Sequence, residues 1–206
     1  METPDYLPIS MLNQLEYCER RFWLMFVHGE MEVNAPVLDG TLRHDRVHTA
    51  GREREGDKEM RRRVYVYSDA LRLVGFIDLL EKVDGQLVPV EYKRGRMGRW
   101  LSDHVQLCAQ ALCLEERLAG DRSSTPAPDE NLTVAPHGYV FYFGNRRRER
   151  VEFTASLRER TRAAVARAFA LCEAGNVPPP TAKRAKCRDC SLEPICLPRE
   201  VRQLIA

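Results

Sequence analysis

The sequence predicts an α/β fold, a mixed central sheet flanked by helices. Three observations predict it. Helix-period segments stand at the front, in the middle and near the end of the chain, with strand-like runs between them. Asp84-Gly85 separates two of those runs and is a strong tight-turn signal. A length of 206 residues with 44% hydrophobic content suffices for a real core in one domain.

In chain order, Ser10 is placed to cap a helix whose apolar positions Leu12, Leu15, Phe22 and Met25 recur every three or four residues. Residues 40–54 read as a charged helical stretch carrying His44 and His48. Strands are expected over 63–67, 71–80 and 86–93, then a helix over 102–118 capped by Ser102. Residues 120–131 have loop composition. Residues 139–143 form an aromatic strand with 151–153 as its partner, and an Arg- and Ala-rich helix runs over 156–173 until Gly175. Pro178-Pro179-Pro180 stiffens the approach to the last segment.

There is neither an apolar run long enough to span a bilayer nor a signal peptide, so a cytoplasmic protein without a membrane partner is expected. Net charge is only +2, yet cations cluster at Arg61–Arg63, at Arg94, Arg96 and Arg99, at Arg146–Arg148 with Arg150, and at Lys183, Arg184, Lys186 and Arg188. Local patches of this kind can follow a phosphate backbone without a large overall field.

Seven cysteines in such a chain favour metal or redox use over disulfides. Cys108, Cys113 and Cys172 sit in apolar helical stretches and read as core. Cys187, Cys190 and Cys196 form a C-x2-C-x5-C group on a segment too poor in apolar residues to fold alone. Cys18, flanked by charged residues, is the best fourth ligand and would fasten the two ends of the chain together. Zinc and a cubane iron–sulfur cluster both take four thiolates, and spacing does not choose between them.

The third pattern is acidic. Asp78 interrupts the apolar run Leu73–Leu80, where an unpaired carboxylate is costly to bury. The Asp84-Gly85 hairpin folds Asp78 against Glu91, and two carboxylates so placed can hold Mg²⁺ or Mn²⁺. Glu91 and Lys93 are two apart on a strand and share a face. A metal-bound water with a cation beside it is what phosphodiester hydrolysis needs. His44 is a candidate third ligand, one that suits Mn²⁺ better than Mg²⁺.

Gly40-Thr41-Leu42-Arg43-His44, Gly75-Phe76-Ile77-Asp78, Glu91-Tyr92-Lys93 and Gln106-Leu107-Cys108-Ala109 form an ordered set between Cys18 and the three late cysteines. From about residue 10 to 196 the chain resembles the CRISPR-associated exonucleases of the Cas-four family, RecB-like members of the PD-(D/E)xK nuclease superfamily. The resemblance implies a PD-(D/E)xK core over about 40–155 within one nuclease domain, 1–206. It also implies a cluster module built from 10–30 and 176–200. A [4Fe–4S] cluster would sit on Cys18, Cys187, Cys190 and Cys196. Mn²⁺ or Mg²⁺ would sit on His44, Asp78, Glu91 and the Tyr92 carbonyl, with Lys93 catalytic and Gln106 assisting. The implied activity is 5′-to-3′ exonuclease cleavage of single-stranded DNA or overhangs, trimming and selecting prespacers during CRISPR spacer acquisition. The implied partner is the spacer-integrase complex, with this chain alone or fused to the integrase subunit. One departure stands out: the family often has Tyr four residues after the glutamine, and here that position is Gln110.

Two other functions fit parts of the pattern. A RecB-like iron–sulfur nuclease of repair or recombination would use the same site, but the chain has no ATP-binding loop. A non-catalytic DNA-binding adaptor with a four-cysteine zinc site would have no need of Asp78, Glu91 and Lys93.

Overall fold

The structure is a computed structural model that describes residues 4–29, 52–55, 58–98, 101–124, 132–188 and 190–205. Most of the stretch expected to be helical over 40–54, including His44 and His48, lies outside the described residues; its end, from 52 on, falls in the strand Arg52–Glu55. The chain opens with a short strand β1 (Leu7–Pro8) and helices α1 (Ile9–Tyr17) and α2 (Glu19–Phe22), then a π-helical turn over Trp23–Val27. Strands β2 (Arg52–Glu55), β3 (Lys58–Ser68), β4 (Leu73–Val83) and β5 (Gln86–Lys93) follow, and then the long helix α3 (Ser102–Ser124). Strands β6 (Thr133–Val134), β7 (His137–Tyr142) and β8 (Arg147–Glu152) precede helix α4 (Ala155–Ala174). Three short helices, α5 (Ala185–Arg188), α6 (Glu193–Cys196) and α7 (Pro198–Leu204), close the chain.

The sheet runs β2-β3-β4-β5-β7-β8, with β1 added parallel to β4 and β6 parallel to β5. It is mixed, as expected: β5 and β7 are parallel and the remaining neighbours on the path antiparallel. Asp84 and Gly85 both have positive φ, 50° and 76°, which a two-residue turn matched to strand twist requires.

Further expectations need correction, and Ser102, expected to cap α3, is instead its first helical residue. Ser10 is not the cap of α1, which starts one residue earlier behind Pro8 and has no side-chain cap. Pro8 is fixed in extended geometry, and that sets the turn from β1 into the helix. Residues 120–124 are helix rather than loop; one Gly inside a long packed helix costs only about 1 kcal/mol. Strand β4 begins at Leu73 rather than at residue 71 and extends past 80 to the turn.

Helix α3 crosses the sheet against β3, β4, β5 and β7, and α1 and α4 pack on α3 in turn. Ala109, Cys113, Ala164 and Ala168 let these helices approach closely, while Leu12, Phe22, Leu73, Ile77 and Leu171 fill the space between helices and sheet. Cys113 and Cys172 are buried among them and Cys108 in a second cluster with Leu107, Val140 and Phe153, all three as the sequence predicts. Thr154 Oγ1 accepts from the Leu157 N–H at 3.2 Å to cap α4, and Gly175 ends it with φ 65°. Among the described residues no helix is long and apolar enough to cross a membrane.

Candidate active site

The acidic residues stand where strand alternation lapses. Phe76 is exposed, but Ile77 and Asp78, which should face opposite ways, are both buried, and burial continues through Glu81. On the neighbouring strand Arg63 has φ 52°, between the pairs Arg62↔Leu79 and Val64↔Ile77. The lapse turns Asp78 inward, and the β4–β5 register, last paired at Leu79↔Val90, brings it opposite Glu91. Asp78 Oδ2 accepts from the Tyr92 N–H at 2.9 Å. Burial, and then the charge of Glu91, push the Asp78 carboxyl up to about 8, against the pull of the Tyr92 N–H and Lys93.

Helix α3 completes the arrangement. Gln106 Nε2 donates to Glu91 Oε1 at 2.7 Å, and Lys93 Nζ donates to Gln106 Oε1 at 2.6 Å. Lys93 Nζ also lies 3.0 Å from Glu91 Oε1 and 3.6 Å from Asp103 Oδ1. Burial alone would lower the Lys93 pKa, but the Glu91 and Asp103 carboxylates outweigh it and hold the pKa above the usual lysine value. Lys93 is therefore an ammonium at neutral pH, suited to stabilising negative charge rather than to taking a proton. Asp78, Glu91, Lys93 and Gln106, predicted from the sequence, thus stand together, and the Tyr92 backbone adjoins them; His44 lies outside the described residues.

Asp103 and Tyr142 are not legible in the sequence as site residues, and Gln110 stands out there only as the departure at the family's tyrosine position. Gln110, one turn beyond Gln106, donates to Glu91 Oε2 at 2.7 Å and to the Phe76 carbonyl at 3.1 Å. Asp103 links Lys93 to Asn13 of α1, whose Nδ2 donates to Asp103 Oδ1 at 2.6 Å. Tyr142 donates to Asp103 Oδ2 at 3.0 Å. The i, i+4 spacing of Gln106 and Gln110 is the one signal that pointed to a shared helix face.

The four cysteines predicted to act together line one pocket between α1–α2 and the last three short helices. Cys18 sits at the break between α1 and α2, and Cys190 and Cys196 pack against an apolar group of Trp23, Leu24 and Leu192. Arg20 Nε donates to Cys196 Sγ at 3.3 Å, Arg21 to Cys190 Sγ at 3.2 Å and Arg202 to Cys187 Sγ at 3.7 Å. Burial pushes the Cys196 thiol up, the Arg20 N–H opposes it, and Cys18 and Cys190 add to the rise. Lys186, counted above among the surface cations, is in fact buried. Its ammonium donates to the Tyr17 and Glu16 carbonyls at 2.6 and 3.1 Å, satisfying the end of α1, while the Tyr17 hydroxyl donates to the Lys186 carbonyl. Both chain ends are clasped there. Among the described residues no three His, Cys, Asp or Glu side chains converge on a single-ion site.

Residues 28–197 match the model of the PD-(D/E)XK nuclease superfamily. A CRISPR-associated exonuclease Cas4/endonuclease Cas1 fusion of Geobacter sulfurreducens is 35% identical over 209 residues, 96% of this chain and 35% of its own length. A fusion of the same description from Myxococcus xanthus is 35% identical over 94% of this chain and 32% of its own length. A CRISPR-associated exonuclease Cas4 of Rhodospirillum rubrum is 30% identical over 95% of this chain and 58% of its own. The chain thus spans about a third of these fusion relatives.

Proposed function

The chain belongs to the PD-(D/E)XK nuclease superfamily and is similar to Cas4 nucleases along nearly its whole length, and from this we propose that it is a metal-dependent deoxyribonuclease of CRISPR spacer acquisition. Its substrate is single-stranded DNA or the overhang of a prespacer, which it trims from the 5′ end in the cytoplasm. Relatives that are fusions with Cas1 support a spacer integrase as the partner. The observation that carries the reading is the pair of buried carboxylates, Asp78 and Glu91, the latter joined through Gln106 to the Lys93 ammonium.

Two buried carboxylates and a raised Asp78 pKa fit a site that binds a divalent cation, because a cation would offset both the burial and the Glu91 repulsion that keep a proton on Asp78. Asp78, Glu91, the Tyr92 carbonyl and His44 would hold Mn²⁺ or Mg²⁺, which when bound supplies an activated water and neutralises charge on the phosphate. Lys93 points its ammonium at the same place, stabilising the charge that builds on the phosphate oxygens. Gln106 holds both Lys93 and Glu91, so neither must reorganise during the reaction.

The cysteine pocket fits a [4Fe–4S] cluster by its donor set. Four cysteines line it, and the N–H groups of three arginines donate to Cys187, Cys190 and Cys196 and would offset the charge of bound thiolates. In this reading the nuclease core spans about 40–155, and residues 10–30 and 176–200 form the cluster module.

The test is Mn²⁺-dependent cleavage of labelled single-stranded DNA by wild type and Lys93→Ala at saturating metal. A loss of about two orders of magnitude is expected. Equal rates would make Glu91 and Lys93 an ordinary ion pair and remove the enzyme reading.

A further inference from the structure

Large aromatic side chains at a protein surface are usually scattered singly. Here the four exposed ones among the described residues, Tyr6, Tyr65, Tyr67 and Phe76, form one row. Tyr65 and Phe76 face each other across β3 and β4 with ring centres 5.4 Å apart, and Tyr65 and Tyr67 are 6.2 Å apart. Tyr6 is tethered beside them through Asp69. Each of the three strand rings is 40–48% exposed, so beyond their contacts with one another a large part of their apolar surface is open among the described residues.

Cations border the row. The Arg63 guanidinium lies 4.9 Å from the centre of the Phe76 ring, and that of Arg117 lies 5.8 Å from the centre of the Tyr67 ring. The nearby acids are turned to other work. Asp69 accepts from Tyr6, while Glu116 accepts from Ser68 and the backbone N–H groups of Asp69 and Ala70. The surface therefore offers ring faces edged with guanidinium, which complements a polyanion carrying exposed flat groups. Phe76 is two residues from Asp78, roughly 7 Å along β4, and Arg63 lies between the β3–β4 pairs that flank Asp78.

We propose that Tyr65, Tyr67 and Phe76, with Arg63, form a stacking platform that holds the bases of single-stranded DNA as the strand reaches the Asp78–Glu91 site. The inference rests on the nuclease reading and names how that site takes its substrate. Stacking selects single strands because a duplex hides its base faces, and it is tolerant of sequence because every base has a π-face. A purely apolar protein segment would gain nothing from the two guanidinium edges.

The experiment uses the full-length holoprotein without added divalent metal and a fluorescent oligothymidylate of about 20 nucleotides, enough to span the row of rings. Tyr65→Leu/Tyr67→Leu keeps the surface apolar but removes two rings, and should weaken binding about 10- to 100-fold while affinity for blunt duplex is unchanged. Tyr65→Trp should bind as wild type, and its added indole fluorescence should be quenched by the oligonucleotide. Unchanged affinity of the Leu variant and no quenching of the Trp variant, with wild type still binding and cleaving, would overturn the platform and leave the nuclease reading intact. A Leu variant that binds DNA normally but no longer assembles with the integrase subunit would also overturn it, in favour of a protein-docking surface. Wild type that neither binds nor cleaves single-stranded DNA would remove the functional reading itself, and the platform with it.

Discussion

Gln110 donates one side-chain amide nitrogen to both carboxylate-bearing strands, to Glu91 Oε2 on β5 at 2.7 Å and to the Phe76 carbonyl on β4 at 3.1 Å. Both of its N–H groups are committed, and reversing the amide would set its oxygen against a carboxylate. With Gln106 on the other oxygen, Glu91 is held at both ends of its carboxylate by one helix face. Gln110 Oε1 is left buried without a partner among the described residues. A fully buried acceptor left unpaired is a cost, and fixing Glu91 is the gain that offsets it.

Gln110→Leu should therefore take the Gln110 donor from Glu91 Oε2 and from the Phe76 carbonyl, destabilising the fold by about 1–3 kcal/mol. It should also weaken Mn²⁺ binding about tenfold, because Glu91 is then free to rotate away. Calorimetric Mn²⁺ titration separates the effects: lower stability with unchanged metal affinity would reduce Gln110 to a packing residue.

Asp103 is the link between the first helix and the catalytic lysine. It accepts from Asn13 and Tyr142 and lies 3.6 Å from Lys93. Asp103→Ala should leave Lys93 less well aimed and lower kcat by about 10- to 100-fold, as small misplacements do, with KM for DNA little changed. A variant that raises KM alone would show that Asp103 serves substrate binding instead.

Much of this site could be read from the sequence, for reasons that can be named. Asp78 stands out because it interrupts an apolar strand, Glu91 and Lys93 because strand period puts them on one face, and the hairpin because Asp84-Gly85 permits two positive φ values. Alternation is local, and local rules read well. Asp103 and Asn13 are 90 residues apart, and no period along the chain relates them. Lys186 looks like one more surface cation until α1 is seen to end beneath it. The lapse that buries Ile77 and Asp78 together depends on Arg63 of the neighbouring strand, whose φ of 52° no sequence pattern announces. The aromatic row is likewise a product of pairing, since Tyr65 and Phe76 meet only once the β3–β4 register is fixed.

The cysteine pocket makes a spectroscopic prediction. Anaerobically purified protein should be brown, with broad absorption near ~400 nm from thiolate-bound iron. Cys18→Ser, Cys187→Ser, Cys190→Ser and Cys196→Ser should each bleach it and lower the melting temperature. Cys113→Ser should keep the colour, because Cys113 is buried in the main core, where its thiol is pushed up to about 12 by burial. Stoichiometric zinc without iron in the anaerobic protein would replace the cluster with the adaptor-type site.

Asp78 gives the pH dependence. Its folded carboxyl is held at about 8 by burial and by Glu91, against 3.8 in the unfolded chain. Between those values the folded state binds the proton and the unfolded state does not, so the metal-free protein should lose stability as pH rises from about 4 to about 8 and then level off. A divalent cation reverses the sign, because it needs the carboxylate that folding disfavours. Mn²⁺ affinity should therefore climb with pH over the same range, with one proton released per ion bound near pH 7. Asp78→Asn tests both limbs together, since an amide cannot titrate and is nearly the same size. The variant should flatten the metal-free melting profile above pH 4 and remain brown, while binding Mn²⁺ weakly at every pH. A melting profile as steep as that of the wild type would assign the proton to some other group and leave Asp78 ionised throughout.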